Sequence, residues 1–267
     1  MGEQDASQNA LNEGRSRTAR DKTASTISLV IRDEFKEIKK GDEVTRVKTG
    51  EVLKILVVWN KSYADRGRVD NFSPGGKGKP RGVGLPTGGS ESQEYIDHVA
   101  VRETLNESGH EPDRIIKHFT EFRVDKRKKG KEGVHPHYIY WVATDPDWVV
   151  EIKEKDEILK SDWLTLRDIL QRVELGLTAK AEGRVDYEAF YFSHASFLLL
   201  PVFLHIAQMS PEEISVISDE YYRAAVLKYQ PHIRKALDDN WDICKRLGLW
   251  ERCEKLGLFY ENDPQEV

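Results

Sequence analysis

Leu85 to His110 reads LPTGGSESQEYIDHVAVRETLNESGH. Tyr95 to Ser108 carries a helical period: Tyr95, Val99, Arg102 and Asn106 recur on one face, and Ile96, Ala100, Glu103 and Glu107 on another. Gly109 is a natural stop. Such a helix sets the Glu103 and Glu107 carboxylates on one face, about one turn apart. Two like charges there repel, so solvent, a nearby Arg or Lys, or a divalent cation must offset them. Hard cations such as Mg²⁺ take oxygen ligands, commonly one or two carboxylates together with substrate phosphates. Glu94 precedes Arg102 closely enough to form a carboxylate–guanidinium pair across the turn. Gly88 and Gly89 let the backbone approach a ligand or adopt positive φ. Taken alone, a glutamate pair at this spacing is most often a solvated helix face.

Outward from this segment, the pattern is of strands. TISLVIR (residues 26–32) and, after a charged turn, EVLKILVVWN (51–60) are rich in β-branched residues. Residues 61–81 form a loop punctuated by glycine and proline, GVGLP a short strand or extended entry, and GGSESQ a turn. RIIKHFTEFRVD and HPHYIYWVATD flank a basic connector and pattern as a hairpin. DWLTLRDILQRV gives a short strand or turn and then a helix. Strands alternating with helices argue for an α+β or layered α/β/α chain. The polar residues 1–24 pattern as a disordered tail, and 178–267 as a helical C-terminal extension. Within the extension, Ser210, Pro211 and Glu213 open a helix with a capping box.

Composition narrows the function. The chain has 267 residues, 39% hydrophobic and 33% charged, enough for a substantial core under a solvated surface. A net charge of -5 gives no general attraction for nucleic acid or anionic membrane, so any anion site must be local. Cys244 and Cys253 do not make a disulfide framework or a zinc site, and two partly buried thiols are expected. The polar start lacks a secretory segment, and the apolar run FLLLPVFL is too short to span a bilayer. A soluble cytoplasmic protein that does not bind membranes follows.

The opening segment resembles the Nudix box. That family's pattern is Gly, five residues, Glu, seven residues, Arg-Glu, an apolar residue, any residue, Glu-Glu, any residue, Gly and an apolar residue. Gly88, Glu94, Arg102, Glu103, Glu107 and Gly109 stand at those offsets. LPTGGSE is similar to the family's Pro-Gly-Gly lead-in, with Thr87 replacing one glycine. Thr104 and His110 stand where apolar residues are usual, and Asn106 where the first of the paired glutamates belongs. An amide oxygen can ligate a hard cation but brings no charge, so metal affinity should fall. The box covers residues 88–110; the flanking strands, the hairpin and EKDEILKSDWLTLRDIL are similar to the rest of a Nudix fold, to about residue 175.

The resemblance implies an α+β chain whose residues 25–177 form a Nudix-like α/β/α sandwich with a mixed sheet. It implies a hydrolase that uses Mg²⁺ (or Mn²⁺) to cleave the pyrophosphate linkage of a nucleotide or nucleoside diphosphate derivative. Glu103 and Glu107, with Gly88, would hold the metal, one of the two acids sharing the base role. Arg102 would fix Glu94 and the loop. A further acid before the last helix of the domain would act with them: Glu154, Asp156 or Glu157, with Glu157 favoured by position. Gly88, Gly89 and Arg81 would contact the substrate. A non-catalytic Nudix-fold binding module, motivated by Asn106, is one alternative. An RNA 5′-end pyrophosphohydrolase using the basic run from Lys126 to Lys131 is another, although such a run is usually a solvated hairpin tip. His135 and His137 share one side of a strand without a third metal ligand in sight. The aromatic and aliphatic residues of 191–199 read as packing, and a homodimer is left open.

Overall fold

The computed structural model describes residues 23–40, 43–61, 82–90, 94–124, 134–155, 157–184 and 186–255. Residues 1–22 of the tail expected over 1–24, residues 62–81 of the expected loop with Arg81, Asp156, and the basic run from Lys126 to Lys131 lie outside them, while Thr23 and Ala24, expected in the tail, begin the first strand. Seven strands build the sheet: β1 (Thr23–Lys40), β2 (Glu43–Asn60), β3 (Gly82–Gly84), β4 (Thr87–Gly89), β5 (Pro112–Val124), β6 (Val134–Thr144) and β7 (Ile158–Leu164). The order is β3-β2-β1-β6-β5, with β4 added on β1 and β7 on β2. β1 runs parallel to β6 and antiparallel to β2, so the sheet is mixed. The hairpin of β5 and β6 forms as the pattern implied.

The helices are α1 (Ile96–Ser108), α2 (Leu166–Ala181), α3 (Phe192–His194), α4 (Leu200–Gln208), α5 (Pro211–Ser215), α6 (Glu220–Asp238), α7 (Trp241–Arg246) and α8 (Trp250–Lys255). They cover both faces of the sheet. On β6, Ile139 and Trp141 join a large apolar cluster with Leu170, Phe203 and Ile233 of α2, α4 and α6. Tyr140 and Val142 join Val99 and Ala100 of α1 on the other face. This alternation is the strand's period of two read out in burial. The chain is α+β, a mixed sheet between helices with further helices following at the C-terminal end. Those later helices share one apolar cluster with the sheet, and Tyr229 of α6 donates to the Leu29 carbonyl at 2.9 Å.

Several local readings change. The charged stretch between the first two strands is itself paired: β1 and β2 stay in register out to Lys40 and Glu43, past a bulge at Glu34 and Phe35. Residues 33–40 and 43–49 are exposed, and cross-strand contacts support them, including Lys48 with Asp33 at 2.6 Å and Arg46 over the Phe35 ring. Gly88 and Gly89, expected in a turn, lie in β4 and pair with Ala24 and Thr23. The helix opened by Ser210 ends at Ser215, and Asp219 caps a second one by accepting from the Tyr221 and Tyr222 N–H groups. The apolar run at 197–204 passes through a π-helical turn, Ala195–Leu199, into α4. Cys244 and Cys253 are not joined in a disulfide and are fully buried rather than partly so. Among the described residues no helix is long and apolar enough to cross a membrane.

Candidate metal centre

α1 presents an unusually polar buried face to the sheet: Glu103, Thr104, Glu107 and Ser108 are all buried. Local bonds make this tolerable, because a buried polar group must find a partner. Thr104 donates to the Ala100 carbonyl at 2.8 Å and lies 2.7 Å from the Thr26 hydroxyl of β1, while Ser108 bonds the Thr104 carbonyl. His110, at an apolar position of the box pattern, packs its ring edge-on against Trp163 at 5.3 Å. Thr104 and His110 therefore fill the apolar roles of the box by pairing or stacking.

The two box glycines are required by close approach. A Cβ on Gly88 would stand 1.9 Å from the Glu103 carboxylate carbon. Gly109 holds the helix end at φ 75, and a Cβ there would meet the Val150 carbonyl oxygen at 2.3 Å. The chain after β6 docks on this end. Val150 N–H donates to the Gly109 carbonyl at 2.8 Å, and the Lys153 and Glu154 N–H groups to the Asn106 carbonyl at 3.1 and 3.2 Å. The last carbonyls of a helix lack intrahelical partners, and here a loop supplies them. Glu154 is carried to the acidic face as a result.

Carboxylate oxygens of Glu103, Glu107 and Glu154 lie within 4.8 Å of one another. Glu103 and Glu107 are only 5% and 6% exposed. Arg102 clamps Glu94 with two bonds, at 2.8 and 2.9 Å, and also reaches Glu103 at 2.7 Å and the Gly89 carbonyl at 3.0 Å. The carboxylates beside it hold the guanidinium firmly in its charged form. Burial pushes the Glu103 carboxyl up to about 7 against the pull of Arg102, with Glu154 and Glu94 adding to the rise. Glu107 accepts the Thr87 N–H at 2.8 Å, and Thr87 in turn contacts the Ser25 hydroxyl at 2.6 Å. His137, for which no third metal ligand was in sight, lies 2.8 Å from that same Ser25 hydroxyl in the interior.

These acids line a cleft of about 460 Å³ with Thr87, Gly88, Gly89, Lys153 and Glu157. Gly88, Gly89, Glu103, Glu107 and Glu157 are thus brought to one place, with Arg102 tied behind them. Glu157, favoured by position, lines the cleft, while Glu154 is the acid that joins the group of three. The signal that distinguishes them is the docking of the loop on the helix end, a contact 48 residues apart in the chain. The residues fit a hard divalent cation: several carboxylates in a partly desolvated cleft, all offering oxygen. A larger cavity of about 650 Å³ lies between α2 and residues 183–192, but its lining, with Val173, Leu177, Phe190 and Phe192, is mainly apolar.

No family model matches the chain, and no curated protein does. Solved structures do. The chain is similar to a NUDIX hydrolase from Nitrosomonas europaea at 15% identity, covering 61% of this chain and 90% of that one, with a TM-score of 0.30. It is similar to the NUDIX domain of Shewanella oneidensis NrtR complexed with ADP ribose at 16% identity, 61% and 86% coverage, TM-score 0.34. A C. elegans Ap4A hydrolase is similar at 18% identity, 61% and 98% coverage, TM-score 0.30. At these identities and TM-scores the likenesses carry no argument about activity, which rests on the cleft itself.

Proposed function

We propose that this chain is a divalent-metal-dependent hydrolase of the Nudix type, acting on the pyrophosphate linkage of a nucleotide or nucleoside diphosphate derivative. The observation that carries the reading is the convergence of Glu103, Glu107 and Glu154 beneath Gly88. Glu103 and Glu107, with the backbone at Gly88, would hold Mg²⁺ or Mn²⁺. A cation bound there supplies positive charge that neutralises the charge developing on the diphosphate.

The protein's own groups do the rest. Arg102 fixes the Glu103 carboxylate and ties the Gly89 carbonyl to the helix, so the glycine strand and the acids keep one geometry. The Thr87 N–H fixes one oxygen of Glu107. Lys153, at the rim, suits a phosphate oxygen. In the reaction, a water oxygen bonds one phosphorus, the P–O–P bridge breaks, and the bridging oxygen leaves with the other product. A carboxylate of the cleft takes the water proton. Glu157 lines the same cleft and is the second candidate for that role after the group of three.

The ligand and substrate named for two similar structures, ADP ribose and Ap4A, make the first members of a panel. Turnover of nucleotide sugars, dinucleotides and nucleoside triphosphates, followed by release of nucleoside monophosphate or phosphate with and without Mg²⁺, tests the reading. Metal-dependent hydrolysis of at least one member is expected, abolished in Glu107→Gln. Metal-independent binding of a panel member without turnover, unchanged in Glu107→Gln, would favour the non-catalytic module instead.

A further inference from the structure

β4 is three residues long and two of them are glycines, so Thr87 is the one side chain by which the strand can be held. We infer that His137 and His194 are positioning residues that hold Thr87 and the preceding Leu85, each through a particular ring nitrogen, and so set where the strand meets the acids. This gives the chain after α2 a role at the cleft, because it supplies His194. The consequence for a bound cation rests on the metal-dependent reading above; the hydrogen bonds do not.

Donors and acceptors fix the direction of each contact. The Leu85 N–H donates to His194 Nδ1 at 3.1 Å, so that nitrogen carries no proton and the imidazole is neutral. The Leu85 carbonyl accepts from Thr87 Oγ1 at 3.0 Å, which commits the only hydrogen of that hydroxyl. The Ser25 hydroxyl, 2.6 Å from Thr87 Oγ1, must then donate to it, and His137 Nε2, 2.8 Å from Ser25, must donate to Ser25. This chain of three side chains crosses β6, β1 and β4, with Ser25 and Thr87 paired in register. Ser25 and His137 are buried on the side of the sheet away from α1, as their alternation with Ile27 and Ile139 requires. His194 is placed by the stretch before it. The Val83 N–H donates to the Ala189 carbonyl and the Tyr191 N–H to the Val83 carbonyl, both at 2.8 Å. A Cβ on Gly84 would stand 2.8 Å from His194 Nδ1, so the bare strand lets the ring reach Leu85. Held in this way, the segment turns its Thr87 N–H onto Glu107 at 2.8 Å.

The identity of the nitrogen supplies the test, since an asparagine amide stands near the Nδ1 position of a histidine and a glutamine amide near Nε2. Backbone amide hydrogen exchange in the metal-free full chain, read by NMR, reports the bonds directly. Exchange at Leu85 is expected to be about tenfold faster in His194→Gln and near wild type in His194→Asn, whose amide oxygen accepts. Exchange at Thr87 is expected to be about tenfold faster in His137→Asn and near wild type in His137→Gln, whose amide nitrogen donates to Ser25. Mn²⁺ affinity, from the loss of the free-ion electron spin resonance signal, is expected to fall roughly tenfold in His194→Gln and His137→Asn. In the two variants that keep the bond it is expected to stay within about threefold of wild type. Equal exchange in the Asn and Gln variants of either histidine would overturn the assignment of that histidine. Faster exchange with wild-type Mn²⁺ affinity would overturn the positioning role while leaving the metal reading intact. Wild-type protein that binds no Mn²⁺ yet shows the expected exchange pattern would overturn the metal reading and leave the hydrogen bonds standing. Thr87→Val keeps the side-chain shape and removes both of its bonds, so it serves where a histidine variant does not fold. Faster exchange at Leu85 with weaker Mn²⁺ binding is expected there, and wild-type values of both would overturn the inference.

Discussion

Gly88 passes so close to Glu103 that a Cβ on the glycine would stand 1.9 Å from both the carboxylate carbon and one of its oxygens. The backbone of β4 and the acid of α1 therefore define each other's position. In Gly88→Ala the methyl group must displace the carboxylate, the end of a side chain, rather than the sheet. The expected outcome is a loss of stability of about 1–2 kcal/mol with a disproportionate loss of turnover, roughly a hundredfold. Thermal midpoint and turnover measured on the same preparation check it.

Arg102 is the counter-charge for two carboxylates at once. Its partners Glu94 and Glu103 have side chains only 15% and 7% exposed, so removing the guanidinium takes a counter-charge from two largely desolvated acids. Arg102→Ala is expected to cost about 2–3 kcal/mol in denaturant unfolding, discounted from a fully buried pair because Arg102 itself is a quarter exposed. Arg102→Lys should recover little of it, since an ammonium cannot make the paired bonds to Glu94.

How far the sequence alone reached is plain from these two positions. Gly88, Arg102 and Glu103 lie in one stretch with a fixed spacing, and periodicity put the helix at 95–108, one residue longer than the observed 96–108, and its end at Gly109. The third acid was harder. Nothing local separates Glu154 from Glu157; the choice is made by hydrogen bonds from the loop to the open end of α1, 48 residues away. The outer part of β1 and β2 was missed because its residues alternate charge with single apolar side chains, which reads as a solvated turn until cross-strand pairing is known. The break after Ser215 is marked by Asp219, a second capping residue downstream of the capping box at Ser210.

The position of Phe203 makes the later helices part of the folding unit's core. Phe203 of α4 is fully buried in the cluster that also holds Ile27, Ile55 and Trp141 of the sheet. Phe203→Ala is expected to destabilise by about 3–5 kcal/mol. Tryptophan fluorescence and far-UV circular dichroism should lose signal together at the lowered midpoint, because the cavity opens between helix and sheet.

Glu188 gives a pH signature remote from the acidic cleft. The Trp59 indole N–H, at 2.9 Å, and Arg172, at 2.6 Å, hold its carboxyl below the usual carboxylate range. A depressed folded value means that the ionised form stabilises the fold above the unfolded value, and that this contribution is lost as pH falls through the folded one. Glu188→Gln is therefore expected to cost about 1 kcal/mol or less at neutral pH, screened by solvent, and the difference from wild type should shrink below pH 4.5. Denaturant midpoints of the two proteins from pH 7 to pH 3 check it.

Crystals of the chain soaked in MnCl₂ and measured for anomalous scattering give the most direct test of the acidic cleft. The expected result is an anomalous peak within coordination distance of the Glu103 and Glu107 carboxylates, beside Gly88, that disappears in Glu107→Gln. Density showing those two carboxylates turned apart, with no manganese between them at saturating concentration, would contradict it.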